Sequence, residues 1–448
     1  MKSIWEETVY RDGQISHRRF FRESKPDYGQ EKDAVDLYPE LTRQTFEGFG
    51  CSATEAPAWL FDRMSEERKK EFLDACWGKE GLGYNQLRLS MDSCDAALGT
   101  YSAMGDRKPE NPEQAPFSLE RVDRYITPFI QSIQKRMGEK AHIMLSPWSP
   151  PAFMKNNGER AHGGKLLDEY RSLWAGYYCR YIRELAKRGI EIESISVQNE
   201  PAAVQTWDSC LYSAEKEKEF IRDYLHPALE REGLGDIEIY IWDHNKERVL
   251  ERVRGTVDSD TEELISGVSV HWYSGDHFEN LRLIHEQYPH LKLRFSEGCV
   301  EYSNSDAGAE LENARRFGHD IAGDLNEGVS SYIVWSPVFD LDGNPNWVNN
   351  LCGALILYDP EKDELHRTLA YEYVRHFSSY IVPGSRRIAF SRFSDRMDVT
   401  AFERPDGELA VVLMNRTDHP QNVYLRINGE VILVPVEGDS IISGRIRQ

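Results

Sequence analysis

Short apolar segments alternate with longer amphipathic segments over most of this chain, and this alternation constrains the fold more than any other feature. A short apolar run bounded by polar residues or glycine predicts a buried strand, and an apolar stripe at helical spacing predicts a helix. The pattern predicts eight strands, at 45–49, 84–89, 142–145, 194–197, 237–242, 267–270, 292–295 and 331–334. Eight strands that alternate with helices form a closed parallel barrel. We therefore expect an α/β fold, a (β/α)8 TIM barrel.

The helical segments between these strands carry recognisable ends. A helix is predicted over 65–77, with Ser65 as its N-cap and with Phe72, Leu73 and Cys76 on one face. A second helix is predicted over 168–188 and stops at Gly189, the residue that most often ends a helix before a strand. Such helices are long enough to cover the outside of a barrel.

The sequence pattern changes after residue 380. Strand-like runs at 397–402, 409–415, 423–427 and 431–434 are separated by turn sequences, which is typical of an antiparallel sheet. The first forty-odd residues contain a similar run at 15–21 but are too short to fold alone. We therefore predict a side antiparallel β-sandwich built from both chain ends, with 1–44 and 381–448 forming the sandwich and 45–380 forming the catalytic barrel.

Charge and cysteine usage narrow the class of function. The net charge of −21 disfavours nucleic acid and anionic membranes as partners, because phosphate binding needs clustered lysine and arginine. The acidic start of the chain has no apolar segment typical of a signal peptide, and no apolar tract is long enough to span a bilayer. Seven cysteines without CxxC spacing are typical of a reducing compartment. We expect a cytoplasmic protein acting on a neutral small molecule or oligosaccharide.

Polar and aromatic residues follow the predicted barrel strands. Catalytic groups of such barrels lie where strands end and βα loops begin, so these residues should meet at one rim. The strand-end residues are Arg88, Trp148, Asn199, Glu200, His271, Tyr273, Glu297 and Trp335.

Glu200 and Glu297 follow the fourth and seventh strands, which places two carboxylates across the barrel mouth. Paired carboxylates cleave glycosidic bonds, one as a protonated acid whose pKa is raised and the other as an ionised group. A separation of about 5 to 5.5 Å gives retention and about 6.5 to 9.5 Å gives inversion, and the sequence leaves that choice open.

Side chains suited to a sugar surround the two carboxylates. Aromatic faces come from Trp148, Tyr273, Trp335 and Trp347, and hydrogen-bonding groups come from Arg88, Asp95 and Asn199. His271 is assigned either to the substrate or to bracing its neighbours by hydrogen bonds.

Seven motifs, in order along the chain, resemble one known family. They are Phe46-Glu47-Gly48-Phe49-Gly50, Arg88-Leu89-Ser90-Met91-Asp92-Ser93-Cys94-Asp95, Ser146-Pro147-Trp148-Ser149-Pro150-Pro151, Gln198-Asn199-Glu200-Pro201, Val270-His271-Trp272-Tyr273, Phe295-Ser296-Glu297-Gly298-Cys299 and Pro345-Asn346-Trp347-Val348. Together they resemble glycoside hydrolase family 30, and most of all its glucosylceramidase branch. The resemblance covers nearly the whole chain.

The resemblance implies a retaining β-glycosidase with Glu200 as acid/base and Glu297 as nucleophile. It also implies that Tyr273 hydrogen-bonds the nucleophile and that Asn199 holds the sugar 2-hydroxyl. The positions that it implies for the sugar subsite are Arg88, Asp95, Trp148, Asn199, Tyr273 and Trp335. Asp92 is acidic where the lipid-cleaving members are apolar, which suggests that it binds a free sugar hydroxyl.

Three hypotheses for the function follow. The first is an exo-acting enzyme on small β-glucosides, β-xylosides or related neutral glycosides, the second an endo-β-glycanase with an open groove, and the third a sugar-binding protein without catalysis. Since hydrolysis by two carboxylates needs no metal, we expect neither a metal nor a cofactor. We assign no metal site to Cys51, Cys94 and Cys299, and none to Asp95, Asp243 and His244.

Overall fold

The computed structural model describes residues 1–29, 32–302 and 309–447. Within these residues, eight parallel strands form a closed barrel. They are β1 Gly48–Ser52, β2 Gln86–Met91, β3 His142–Pro147, β4 Ser194–Ser196, β5 Glu238–Asn245, β6 Gly267–His271, β7 Lys292–Glu297 and β8 Val329–Val334. Each strand pairs with the next, and the pairing of Ile333 with Gly50 joins β8 to β1. The predicted TIM barrel is confirmed, because every predicted strand overlaps one of these eight.

Helices follow the barrel strands and bury one face against them. The α-helices are Glu55–Arg63, Glu66–Trp77, Glu120–Arg124, Ile126–Met137, Arg171–Ala186, Ala214–Phe220, His226–Arg231, Val249–Thr256, Phe278–Gln287, Glu310–Asn326 and Leu369–Ser378. Ser65 caps the second of them by accepting a hydrogen bond from the backbone N–H of Arg68, as predicted. None of the helices in the described ranges is both long and apolar enough to cross a membrane.

The two chain ends meet in one ten-stranded sheet beside the barrel. Its strands are Lys2–Arg11, Gln14–Glu23, Lys25–Pro26, Ala34–Thr45, Arg386–Arg392, Met397–Glu403, Leu409–Asn415, Gln421–Ile427, Glu430–Val436 and Ser440–Arg447. The first strand pairs with the last, and Trp5 lies opposite Gly444. A side chain at Gly444 would meet the buried Trp5 ring at 2.4 Å, so the glycine permits this join. The predicted β-sandwich from both ends is confirmed, with its own apolar core.

The boundary between the modules differs by a few residues from the prediction. The sandwich strand Ala34–Thr45 ends at Thr45, and β1 begins only at Gly48. The division into 1–44, 45–380 and 381–448 stays a prediction. Small sheets in the loops after β7 and β8 were not predicted from the sequence. They pair Val300–Glu301 with Cys352–Gly353, and Ile356–Asp359 with both Val338–Asp340 and Glu364–Arg367.

Candidate active site

Glu200 and Glu297 meet at the carboxyl end of the barrel. Glu297 is the last residue of β7, and Glu200 lies four residues after β4. A carboxylate oxygen of each, together with a ring nitrogen of His271, lies within 4.8 Å of the others. Each glutamate is only 8% exposed, so the two carboxylates share a nearly dry recess.

Arg88 lies beneath the recess and fixes three of its side chains. Its guanidinium donates to Glu297 Oε2 at 2.6 Å, to Asn199 Oδ1 at 2.7 Å and to Asp243 Oδ2 at 2.8 Å. Charge-assisted bonds of this kind are short and directional. Arg88 is 0% exposed, and these contacts position Glu297, Asn199 and Asp243. The predicted contact of Arg88 with a sugar stays a prediction.

The remaining polar atoms around Glu297 point toward the recess. The Tyr273 hydroxyl donates to Glu297 Oε1 at 2.9 Å, the contact that the resemblance implied. Because Asn199 Oδ1 accepts from Arg88, the Asn199 amide group is left as a donor for a ligand. Both oxygens of Glu297 are thus held, and the neighbouring donor is suited to a sugar hydroxyl.

His271 lies between Glu200 and Asp243. Its Nδ1 is 3.4 Å from Glu200 Oε1 and its Nε2 is 3.2 Å from Asp243 Oδ1. The Ser296 hydroxyl also donates to Asp243 Oδ1, at 2.6 Å. His271 is fully buried, so the structure favours the bracing role over the substrate contact.

The surroundings of His271 and Glu200 shift the pKa values of these two groups in opposite directions. Burial alone would lower the pKa of His271, but the charge of Glu297 and the hydrogen bonds to Asp243 and Glu200 raise it to about 9. Burial alone would raise the pKa of Glu200, but the hydrogen bond from His271 and the charge of His244 lower it to about 2. These opposite shifts of pKa favour a protonated His271 beside an ionised Glu200. The sequence-based expectation of a raised carboxyl pKa does not hold for Glu200 in this state.

The backbone is strained where these groups are presented. Glu200 has φ 47°, and the consecutive residues Trp242 and Asp243 have φ 72° and 48°. Residues other than glycine avoid this left-handed region, and such strain concentrates at functional sites. The strain directs the Glu200 and Asp243 side chains toward His271.

A wall opposite the carboxylates is built from Asp95 and two tryptophans. Asp95 Oδ2 accepts from Asn346 Nδ2 and Asn350 Nδ2, both at 3.0 Å. Burial and the charge of Glu297 raise the pKa of Asp95 to about 6. The Trp148 and Trp335 rings lie 5.5 Å apart, and each residue is 2% exposed.

Trp347 and Asp92 are each held by hydrogen bonds within the protein. The half-buried Trp347 donates through Nε1 to the Cys94 carbonyl at 2.8 Å, which anchors the loop. Asp92 is fully buried and accepts from the Tyr177 hydroxyl and the Ala103 backbone N–H. Its carboxylate is therefore used inside the protein, and the suggested contact with a sugar hydroxyl is wrong.

Several residues of the site were not assigned to it from the sequence. Asp243 lies next to His244 near the end of β5, a strand-end position that the sequence indicated without a role. Asn346 and Asn350 lie in a long loop, and Gln205 follows Glu200 by five residues; no periodicity marks them. Gln205 Nε2 donates to Glu200 Oε2 at 3.3 Å.

Among the described residues, Glu200, His271 and Glu297 are the group whose ligand atoms are close enough to surround a cation. Both nitrogens of His271 already face carboxylates, and Arg88 occupies Glu297 Oε2. A bound cation would displace these contacts. The donor set is better suited to holding a proton than a metal.

Two adjacent carboxylates in a recess at the carboxyl end of a (β/α)8 barrel define the site of a glycoside hydrolase. Residues 46–381 match the glycosyl hydrolase family 30 TIM-barrel domain, and residues 384–443 match the glycosyl hydrolase family 30 beta sandwich domain. The chain therefore belongs to glycosyl hydrolase family 30, and within it to the glucosylceramidase-like branch.

Individual relatives support the same placement. Lysosomal acid glucosylceramidase from Mus musculus is 29% identical over 401 residues, which cover 86% of this chain and 77% of that protein. Endo-1,6-beta-D-glucanase from Neurospora crassa is 23% identical over 439 residues, which cover 92% of this chain and 87% of that protein. The crystal structure of SrfJ from Salmonella typhimurium is 34% identical, with a TM-score of 0.95 over 100% of both chains.

Proposed function

We propose that the protein is a retaining β-glycosidase that removes a terminal sugar from small β-glucosides, β-xylosides or related neutral glycosides. The observation that carries this proposal is the approach of Glu200 and Glu297 oxygens to within 4.8 Å. A retaining pair is separated by about 5 to 5.5 Å, whereas an inverting pair needs about 6.5 to 9.5 Å to admit a water molecule. Nearest oxygens within 4.8 Å of each other support the closer of these two spacings, and with it a double displacement.

In the first step a Glu297 oxygen bonds to the anomeric carbon as the glycosidic C–O bond breaks. Glu200 gives a proton to the leaving oxygen, so the leaving group departs as a neutral alcohol. In the second step Glu200 takes a proton from water, whose oxygen bonds to the anomeric carbon and releases Glu297. Tyr273 and Arg88 hold Glu297 throughout, and the Asn199 amide group donates to the 2-hydroxyl, a bond that strengthens in the transition state.

The proton for the leaving group comes from the His271–Glu200 pair. In the free protein His271 holds this proton, its Nδ1 lies 3.4 Å from Glu200 Oε1, and the proton passes to Glu200 when the substrate binds. The pair holds this proton below the pKa of His271, about 9, and loses it as the pH rises through that value. The acid function therefore depends on a histidine that never touches the sugar.

His271→Gln should shift the basic limb of the pH profile of kcat/KM to lower pH, by about one unit or more. In the wild-type protein this limb is expected near pH 9, because Glu297, Asp243 and Glu200 raise the pKa of His271 to about 9 against the opposing effect of burial. His244 also lies beside His271 but contributes nothing to this rise. The measurement is hydrolysis of an aryl β-glycoside from pH 5 to 11.

His142→Gln is the matched control. His142 also has a raised pKa, through its hydrogen bond to Glu193, but it starts β3 at the opposite end of the barrel. Its variant should keep the wild-type profile. An unchanged basic limb in His271→Gln would remove His271 from the proton path.

Exo action is supported by the closure of the recess. The carboxylates, Asp95 and the tryptophans Trp148 and Trp335 are all nearly buried, and the loop that carries Asn346 and Asn350 closes over Asp95. Such a recess suits one terminal sugar better than an internal unit of a polymer.

The second candidate is an endo-β-glycanase. It is favoured by the likeness to the Neurospora crassa endo-1,6-beta-D-glucanase. Products from a linear β-1,6-glucan separate the two, since an exo enzyme releases only monosaccharide at early times and an endo enzyme releases oligosaccharides. A sugar-binding protein without catalysis would cleave neither polymer nor aryl glycoside.

Retention is tested by the anomer formed first. Proton NMR of an aryl β-glucoside digest should show the β-anomer of the free sugar before mutarotation produces the α-anomer. Early α-anomer would contradict the double displacement. Hydrolysis rates then identify the sugar that the recess accepts, with a panel of aryl β-D-glucoside, xyloside, fucoside, galactoside and glucuronide.

We also propose that the protein is cytoplasmic. All seven cysteines are free and buried, which is typical of proteins in a reducing compartment. The expected partner is a small-molecule or oligosaccharide β-glycoside substrate, and neither nucleic acid nor a membrane.

A further inference from the structure

The loop at 201–209, here called the acid loop, follows Glu200 and covers one side of its carboxylate. Glu200 Oε1 faces His271, and Glu200 Oε2 accepts from the Gln205 side chain at 3.3 Å. Gln205 is half-buried, so it keeps some exposed surface next to Glu200. In the first step Glu200 gives its proton to the oxygen of the leaving group. Because Gln205 contacts Glu200, it lies next to the place that the leaving group occupies.

Trp207 supplies an aromatic surface on the same loop. It is half-buried and packs against the cluster that contains Trp148 and Trp335 at the barrel mouth. These two inner tryptophans are 2% exposed, whereas Trp207 keeps an exposed part. An indole face beside an amide is a combination that binds hydroxylated rings, because it offers both an apolar plane and hydrogen bonds.

The acid loop is held by a buried charged framework that does not touch the catalytic carboxylates. Arg160 pairs with Asp208 through bonds of 3.2 and 3.3 Å, and both residues are nearly buried. Lys155 donates to the carbonyls of Arg160 and Ser209 at 2.9 and 2.6 Å. Burying such groups is costly and contributes little net stability, so the framework is better explained by the need to fix the loop. A fixed loop loses little entropy when a ligand binds.

We propose that Gln205 and Trp207 form the leaving-group subsite, which accepts a sugar ring as the leaving group. This inference rests on the proposed function, because it needs Glu200 as the acid. Trp207 stacks on the leaving sugar, and Gln205 hydrogen-bonds one of its hydroxyls while holding the Glu200 carboxyl in line with the glycosidic oxygen. The natural substrate is then a disaccharide or short oligosaccharide with a β-linkage, not a glycoside of a long apolar chain.

The test compares substrates that do and do not need this subsite. Gln205→Ala and Trp207→Ala should lower kcat/KM for a β-linked glucose disaccharide by about 30-fold or more, which is the scale of a lost pocket contact or a misplaced catalytic group. Trp207→Ala, which leaves the hydrogen bond from Gln205 to Glu200 in place, should keep its kcat/KM within about threefold of wild type on 2,4-dinitrophenyl β-glucoside, whose leaving group needs neither proton nor sugar contacts. The disaccharide is the one that wild type cleaves fastest among gentiobiose, cellobiose and laminaribiose.

A second readout follows the glycosyl-enzyme. When glucose is added as an acceptor, wild type should form some disaccharide in addition to free sugar, because the acceptor binds in the leaving-group subsite. Trp207→Ala should lose this transfer product and still hydrolyse the dinitrophenyl substrate. Trp207→Tyr keeps an aromatic face and should restore most of the transfer. Gln131→Ala is the matched control, since Gln131 is an exposed glutamine that donates to the Arg188 carbonyl on the outside of the barrel.

Each outcome decides the inference. Equal losses on the disaccharide and the dinitrophenyl substrate would reduce the acid loop to a structural role and overturn it. Equal losses on the disaccharide and octyl β-glucoside would overturn the choice of a sugar as leaving group. If wild type cleaves the dinitrophenyl substrate but none of the three disaccharides, the inference fails and the proposed function stands. A wild-type protein that is inert on every aryl β-glycoside would instead overturn the proposed function.

Discussion

Glu297→Ala is expected to lower the hydrolysis rate of an aryl β-glycoside by about 10⁴-fold or more, because it removes the atom that bonds to the anomeric carbon. Arg88 and Tyr273 would lose the carboxylate that they hold. Initial rates with 2,4-dinitrophenyl β-glucoside measure the loss. A residual rate above a hundredth of wild type would contradict the assignment.

Azide rescue distinguishes a lost nucleophile from a damaged fold. In Glu297→Gly the vacated space next to Arg88 and Tyr273 can admit azide, which attacks the sugar from the nucleophile's side. Formation of α-glycosyl azide with recovery of the rate is the expected result. Glu251→Ala is the acidic control, since Glu251 is an exposed residue paired with Arg248, and its variant should retain wild-type activity.

The fold could be predicted because its signals are local. Each barrel strand is a short run of buried residues, and every residue of β2 and β8 is buried, so periodicity and length suffice to detect them. The strand Lys2–Arg11 was missed because its charged residues interrupt the apolar pattern. Its place is decided by pairing with Ser440–Arg447 at the other end of the chain, which no local pattern reports.

The site was predictable to the extent that strand ends determine position. Glu200, His271 and Glu297 were selected because they follow strands that converge. Their depth was not predictable: Arg88 and His271 are fully buried, because barrel closure decides which strand-end side chain is covered. Gln205 and Asn350 come from irregular loops whose paths depend on tertiary hydrogen bonds.

Glu200→Ala should separate the two steps of the reaction. With substrates that need a proton, such as a disaccharide, kcat/KM should fall by about 10² to 10⁴-fold, the usual contribution of a general acid. With 2,4-dinitrophenyl β-glucoside the first step needs no acid, so the glycosyl-enzyme on Glu297 should form quickly and accumulate, because the base that activates water is missing. A burst of dinitrophenol followed by a slow steady rate is the expected trace.

Azide should accelerate the slow phase of Glu200→Ala and yield β-glycosyl azide, since it attacks the glycosyl-enzyme from the side that water uses. This stereochemistry is opposite to that expected for Glu297→Gly, so the pair of products assigns both carboxylates at once. The Glu200→Ala variant also tests His271. Without Glu200 the His271 proton has no acceptor, so the basic limb near pH 9 should vanish from the pH profile. If the two variants gave the same azide anomer, or if Glu200→Ala showed no dependence on the leaving group, Glu200 would not be the acid/base.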